Sequence, residues 1–157
     1  MFFSCFLLIF LTAFEAPAQT GLPIPRFVSL RSKPVNLRTG PGTQYPVEWV
    51  YMKSGLPVEI ISEFGTWRQI KDFQGREGWI HQPMLSGRRT VRPLRDAYLL
   101  RAANVGALPL AKIEAGAVGR LISCPKGLLL CKVEFENFQG WMHKDRIWGV
   151  YPDEVYE

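Results

Sequence analysis

Residues 36–42 read N-L-R-T-G-P-G and carry the clearest structural signal in the chain. Alternation places Leu37 on one face of an extended strand and Asn36 and Arg38 on the other. The two glycines can adopt positive φ angles, and the proline between them fixes its own φ. The stretch therefore predicts a short strand with Leu37 in the core, followed by a sharp and stiff loop.

Short alternating runs of the same kind recur along the chain. They read P-V-E-I-I-S at residues 57–62, W-R-Q-I-K-D-F at residues 67–73 and L-C-K-V-E-F-E at residues 130–136. Glycine and proline turns separate these runs, and no segment has a sustained helical stripe. Many short strands at close spacing predict an all-β fold made of small barrels.

The order of these signals is repeated. Residues 37–81 run from L-R through P-V, S-G and I-I-S to G-W-I-H, and residues 100–143 run from L-R through P-L, A-G and L-I-S to G-W-M-H. The alternative is chance similarity between short β motifs, which the repeated Gly-Trp-aliphatic-His ending argues against. The sequence thus predicts two copies of one unit of about 60 residues. The glycine before each tryptophan predicts a bend or a close backbone approach, and Trp79 and Trp141 are predicted to lie in the core.

Composition sets the class of protein. The chain has 157 residues, 47% hydrophobic and 13% aromatic, with a formal net charge of +5. These values exclude a disordered polar chain, a collagen and a coiled coil.

The first residues have the features of a secretory signal. Residues 2–14 form an apolar run shorter than the roughly 20 residues that span a bilayer, and Ala16-Pro17-Ala18 supplies a cleavage pattern between Ala18 and Gln19. No Lys or Arg precedes the run, and the alternative is a buried N-terminal strand or helix. The signal predicts a protein of the periplasm or a secreted protein, with no stable membrane insertion after cleavage.

Two cysteines follow the predicted cleavage site, Cys124 and Cys131. Pro125-Lys126-Gly127 has turn composition, so the two can face each other across a hairpin. An even pair in an exported chain predicts a disulfide, with two buried free thiols as the alternative.

The opening at residues 36–42 resembles the N-L-R-x-G-P-G motif of bacterial SH3-like domains, which typically close with a G-W-[VI] strand, as at residues 78–80. The second copy has lost the opening glycines and is recognisable mainly through residues 140–142 and 147–151. The whole chain is similar to exported tandem SH3-like proteins of Gram-negative bacteria. The resemblance implies two tandem small SH3-like β-barrels after a signal peptide.

The chain is thus predicted to divide into six segments. The predicted segments are a signal peptide at 1–18, an N-terminal extension at 19–33, SH3-like domains at 34–86 and 97–151, a basic linker at 87–96 and a tail at 152–157.

Aromatic residues give the best binding signal. Tyr45, Trp49, Tyr51 and Trp67 surround the loop region of the first copy, and SH3-type grooves use such rings to hold extended peptides. The alternative is that Trp49 and Trp67 belong to the core or to the contact between the copies.

Catalytic and metal chemistry find little support. His81 and His143 occupy equivalent repeat positions, which favours a structural role. Cys131 with His143 as its base lacks the helix terminus and third residue that activate a thiol. A zinc site of both cysteines and both histidines lacks close C-x-x-C spacing. We expect no catalytic residue, metal or cofactor.

The predicted linker contains four arginines, which could contact anionic lipid, nucleic acid or wall polymer but most simply form a solvated surface. An exported chain rarely meets nucleic acid.

Taken together, these features predict a non-catalytic binding module of the cell envelope that recognises a peptide or peptidoglycan. The alternatives are a structural accessory subunit that binds an envelope protein and, more weakly, a cell-wall hydrolase, for which the length leaves no catalytic domain. An exposed aromatic groove would favour ligand binding, and a groove buried between the copies would favour the accessory subunit.

Overall fold

The computed structural model describes residues 20–157, which form two seven-stranded antiparallel sheets and two short 3-10 helices. The predicted all-β fold class is confirmed. The predicted signal peptide at 1–18 and the cleavage site between Ala18 and Gln19 lie outside the described residues.

The first unit, residues 20–87, contains the first sheet. Its strands are β1 (Arg26–Leu30), β2 (Val35–Arg38), β3 (Val47–Tyr51), β4 (Pro57–Phe64), β5 (Trp67–Lys71), β6 (Glu77–His81) and β7 (Leu85–Ser86). They lie side by side in the order β3-β2-β6-β5-β4-β1-β7, and a 3-10 helix, Gln82–Met84, joins β6 to β7.

The second unit, residues 88–157, contains the second sheet. Its strands are β8 (Thr90–Pro93), β9 (Ala97–Leu100), β10 (Pro109–Ile113), β11 (Gly119–Ser123), β12 (Leu130–Phe135), β13 (Phe138–His143) and β14 (Ile147–Trp148). The order β10-β9-β13-β12-β11-β8-β14 is that of the first sheet with each strand number raised by seven, and the 3-10 helix Lys144–Arg146 again precedes the last strand.

Each unit has its own hydrophobic core, built by the alternation seen in the sequence. Leu37 on β2 is fully buried, as predicted from its motif. On β12 the side chains of Cys131, Val133 and Phe135 are buried while the charged residues between them face outward. Burial of these alternate apolar side chains is the main force that holds each sheet around its core.

The two Gly-Trp pairs correct one prediction. Trp79 and Trp141 are only half-buried, and the core positions belong to the next residues, Ile80 and Met142. The preceding glycine faces inward in each case, because a Cβ on Gly78 would lie 2.9 Å from the backbone oxygen of Arg38. The predicted close backbone approach is therefore present, and strand alternation then turns the tryptophan away from the core.

Two segments predicted to lie outside the domains form strands. The stretch 87–96, predicted as a linker, contains β8, which pairs with β11 and β14. The stretch 19–33, predicted as an extension, contains β1, which pairs with β4 and β7. Both strands carry alternating or continuous apolar residues that fill a core, and Val91 at the centre of β8 is fully buried.

The predicted disulfide between Cys124 and Cys131 is present, and the two Cα atoms lie 4.3 Å apart. Both cysteines are fully buried. Cys124 also forms an isolated antiparallel bridge with Tyr156, in which each backbone N–H donates to the other's carbonyl oxygen. The disulfide thus lies where the C-terminal segment is attached to the second unit.

We expect replacement of both cysteines by serine to lower the free energy of unfolding by about 2.5 kcal/mol, because the unfolded chain regains the freedom of a short closed loop. Urea unfolding followed by tryptophan fluorescence measures the change. The wild-type protein in reductant should unfold like the double variant, whose own midpoint should not respond to reductant. Equal midpoints for all four samples would contradict the prediction.

Candidate functional site

The structure separates the four aromatic residues predicted to line a groove. Tyr45 and Trp49 are exposed, with 39% and 45% of their surface accessible. Tyr51 is buried, and its hydroxyl donates a hydrogen bond to Oδ2 of Asp72 at 2.9 Å. Trp67 is half-buried on β5, three strands from β3 in the sheet, and its ring packs on His81. Trp49 and Tyr51 line one groove together, and Tyr45 and Trp67 do not take part in it.

That groove follows the edge of the first sheet. Among the described strands β3 pairs only with β2, so its outer edge is open. The space beside it has a volume of about 470 Å³. Its walls are formed by Trp49, Val50, Tyr51, Met52, Lys53, Leu56, Phe73, Gln74, Arg76, Arg92 and Gly116. We call this space the β3 groove.

A chain of polar contacts holds Trp49 in place. The guanidinium carbon of Arg76 lies 3.8 Å from the centroid of the Trp49 ring, and Nη1 of the same arginine donates to Oδ2 of Asp72 at 2.8 Å. Asp72 is buried and also accepts the hydroxyl of Tyr51. Burial, together with the negative charge of Asp72, raises the pKa of Tyr51 above its ordinary value, so the hydroxyl remains a donor. Trp49 is therefore an exposed ring on a fixed base.

The second unit contributes one wall of the β3 groove. Arg92 on β8 stacks on Phe73 of the first unit, with its guanidinium carbon 3.4 Å from the ring centroid. Lys53 reaches across in the opposite direction, and its Nζ donates to the backbone oxygen of Gly116 at 2.8 Å. The groove exists in this form only because the two units are in contact.

Aromatic packing and hydrogen bonds join the units beyond the groove. Phe27 of the first unit packs against Trp148 and Tyr151 of the second, with ring centroids 5.0 and 4.7 Å apart. The indole N–H of Trp148 donates to the oxygen of Pro57 at 3.0 Å, and the hydroxyl of Tyr151 donates to Oε1 of Glu59 at 2.9 Å. Burial and the charge of Glu59 raise the pKa of Tyr151 above its ordinary value. These contacts fix the relative position of the groove walls.

The corresponding place in the second unit has no aromatic platform. Trp49 pairs with Leu37 across β3 and β2, and Ala111 pairs with Leu99 across β10 and β9. Both leucines are fully buried at equivalent strand positions. Alanine therefore stands in the second unit where the first has its exposed tryptophan, and the aromatic groove belongs to the first unit.

The histidines and cysteines of residues 20–157 make local structural contacts. His81 and His143 each precede a 3-10 helix, and Nδ1 of His143 accepts a hydrogen bond from the backbone of Asp145. Cys124 and Cys131 are joined to each other. Residues 20–157 contain no group of three or more His, Cys, Asp or Glu side chains placed to hold a metal ion. In the same range, no helix has the length and apolar content that crossing a membrane requires.

Sequence reasoning missed Phe73, Arg76 and Arg92. Arg92 lay within the predicted linker, although the alternation of Thr90-Val91-Arg92-Pro93 is itself a strand pattern that could have placed it on a sheet. Phe73 and Arg76 lie at the turn after β5, and nothing in their local sequence shows that the second unit packs there.

Comparison with protein families gives a match within the first unit. Residues 31–87 match the family model of the bacterial SH3 domain, so the predicted resemblance is confirmed over these residues. No curated protein matches the sequence.

Two solved structures show a distant likeness, the NlpC1 and NlpC2 proteins of Trichomonas vaginalis. Each is 9% identical over 83% of this chain, with TM-scores of 0.34 and 0.38. The chain spans about half of their length, 48% and 49%. Likeness at this level carries no argument about function.

Proposed function

We propose that the chain is a non-catalytic binding module that holds a peptide or a cell-wall component in the β3 groove. The observation that carries the proposal is Trp49, a large exposed ring fixed by Arg76 beside an open sheet edge. An exposed tryptophan on a rigid base can bind a ligand with little loss of side-chain entropy. The match of residues 31–87 to the bacterial SH3 domain supports a binding role.

The organisation we propose is two tandem copies of one SH3-like unit, exported to the periplasm or secreted. Equal strand order in the two sheets supports the duplication. A buried disulfide in the second unit supports an oxidising compartment. N-terminal sequencing of protein from the periplasmic fraction should begin near Gln19, and an intact Met1 on cytoplasmic protein would contradict export.

A second candidate is an accessory subunit that binds an envelope protein. The open edge of β3 favours it, because Val47 and Val50 are exposed there and an unpaired edge can accept a strand from a partner. The hydrolase reading has weaker support, since both cysteines of the described residues are in a disulfide.

Cosedimentation of the mature protein with purified peptidoglycan sacculi tests the main proposal. We expect Trp49→Ala to weaken retention by about 1–3 kcal/mol, which is roughly 5- to 150-fold, while the fold persists. Tyr98→Ala is the matched control, because Tyr98 is an aromatic residue of the second sheet with 59% of its surface exposed and lies outside the groove. Failure of the wild-type protein to bind sacculi would contradict the proposal that it binds the cell wall. Equal retention of both variants would show that the β3 groove is not the binding site.

A further inference from the structure

We propose that the β3 groove binds its ligand through a carboxylate of a cell-wall peptide, and that Arg92 of the second unit receives this carboxylate. The inference rests on the proposed function and adds to it the chemical class of the ligand. It also makes the binding site composite, with the aromatic platform from one unit and the anion-binding group from the other.

The first step is the state of the Arg92 side chain. Its buried Nε has no hydrogen-bond partner among residues 20–157. None of the ion pairs formed within the described part of the chain includes it. Burial lowers the pKa of this guanidinium, and the charge of Asp72 only partly opposes that effect. Because Nε is closed off from solvent, a ligand could reach this guanidinium only through its two Nη groups. An arginine keeps its charge in proteins, and a carboxylate at the Nη groups would supply the counter-charge that this partly buried guanidinium lacks.

The second step is the shape around that guanidinium. One face of Arg92 is stacked on Phe73, which holds the fork in a fixed plane. On the other side Gly116 packs close to the guanidinium, because a Cβ there would lie only 3.2 Å from Nη2 of Arg92. A planar fork held on an aromatic ring matches the two oxygens of a carboxylate.

The third step is the charge of the groove as a whole. Lys53, Arg76 and Arg92 line it, and no carboxylate stands among the lining residues. Asp72 lies beneath the wall, where it is buried and already accepts hydrogen bonds from Tyr51 and Arg76. The groove therefore presents positive charge beside apolar surface, which complements a short peptide that carries free carboxylates on small side chains.

Another arginine-lined space occurs on the seam between the units, with Arg31, Arg88 and Arg120 in its wall. Arg120 is paired with Glu134, and Nε of Arg31 donates to the oxygen of Leu85. No aromatic residue lines this space, so it has neither a ring that fixes an arginine, as Phe73 fixes Arg92, nor an exposed platform like Trp49.

The experiment compares two probes, native sacculi and sacculi whose carboxylates have been converted to amides. We expect the wild-type protein to bind native sacculi at least about tenfold more tightly, and Arg92→Gln to lose about 10- to 100-fold in binding to the native probe. Arg95→Gln is the matched control, because it removes the same charge from an exposed arginine three residues away. The affinity of Arg95→Gln for native sacculi should change by less than about fivefold.

The outcomes separate this inference from the proposed function. If native and amidated sacculi bind equally and Arg92→Gln binds like the wild type, the carboxylate site is wrong while the binding module stands. If Arg92→Gln and Arg95→Gln lose binding equally, the attraction is a general charge effect and the site is again wrong. Should Arg92→Gln fail to unfold cooperatively, Arg92→Lys replaces it. It keeps the charge without the planar fork, and we expect it to lose at least about fivefold; wild-type binding by Arg92→Lys would overturn the inference.

Discussion

Replacement of Arg68 by alanine is expected to lower the free energy of unfolding by about 3–5 kcal/mol. Arg68 faces the interior of the first unit with 2% of its side chain exposed, and its guanidinium lies 3.4 Å from Oε1 of the equally buried Glu63. It also donates to the backbone oxygens of Gly65 and Trp67 and to Oε1 of Gln82. Alanine would leave these acceptors without their donor and remove a charge from beside a buried carboxylate.

Glu63 makes the loss severe because it remains ionised. Burial raises the pKa of Glu63, but hydrogen bonds from Thr20 and Arg26 and the charge of Arg68 outweigh burial and lower the pKa to about 2. When Arg68 is absent, Arg26 at 2.8 Å and the hydrogen bonds from Thr20 still favour the charged carboxylate. The total stability of a domain is about 5–15 kcal/mol, so the expected loss is a large fraction of it.

Urea unfolding at neutral pH measures the effect of Arg68→Ala. Arg101→Ala is the control, because Arg101 is exposed and its removal should change the free energy by no more than about 0.5 kcal/mol. Arg68→Lys should lie between the two, since it keeps the charge but cannot reach all the acceptors. A value for Arg68→Ala within the range of the Arg101 control would show that the buried network contributes nothing.

The sequence predicted part of the interior of each unit. Leu37 was placed in the core by strict alternation, and its burial confirms this; the alternating run at residues 130–136 likewise buries Cys131 and Val133. The same rule, applied from Gly78, would have assigned Ile80 to the core, whereas the size of Trp79 suggested the wrong residue. Alternation decides which face a side chain takes, and hydrophobicity alone does not.

The binding groove could be predicted only in part. Trp49 and Tyr51 were predicted to share a surface, and both line the β3 groove, while their part in binding stays a prediction. The burial of Tyr51 was not predicted, because its hydroxyl bonds to Asp72, a partner 21 residues away. The stacking of Arg92 on Phe73 depends on how two separate units pack, which no local pattern encodes. The units meet through Phe27, Trp148 and Tyr151, so residues far from the groove determine which arginine lines it.

A second large effect is expected at Gly149, which lies between the two aromatic residues that pack on the first unit. Its φ angle is +117°, a backbone conformation that residues other than glycine rarely adopt. A Cβ at this position would overlap the backbone oxygen of Thr90 and lie 3.3 Å from Cβ of Pro57. Backbone strain of about 1–3 kcal/mol and steric overlap of about 1–3 kcal/mol together predict that Gly149→Ala lowers the free energy of unfolding by roughly 2–6 kcal/mol.

Because a Cβ added at Gly149 would meet Thr90 of its own unit and Pro57 of the other, the replacement should also disturb the contact between the units. Gly87→Ala is the matched control, since a Cβ there meets nothing within 4 Å and its φ is not positive. Amide hydrogen exchange can separate the two effects, because strain alone lowers protection throughout the second unit, whereas loss of the contact also exposes the backbone near Pro57. An unfolding midpoint for Gly149→Ala equal to that of Gly87→Ala would mean that the chain around Gly149 can move aside, and that the close packing between the units does not depend on this glycine.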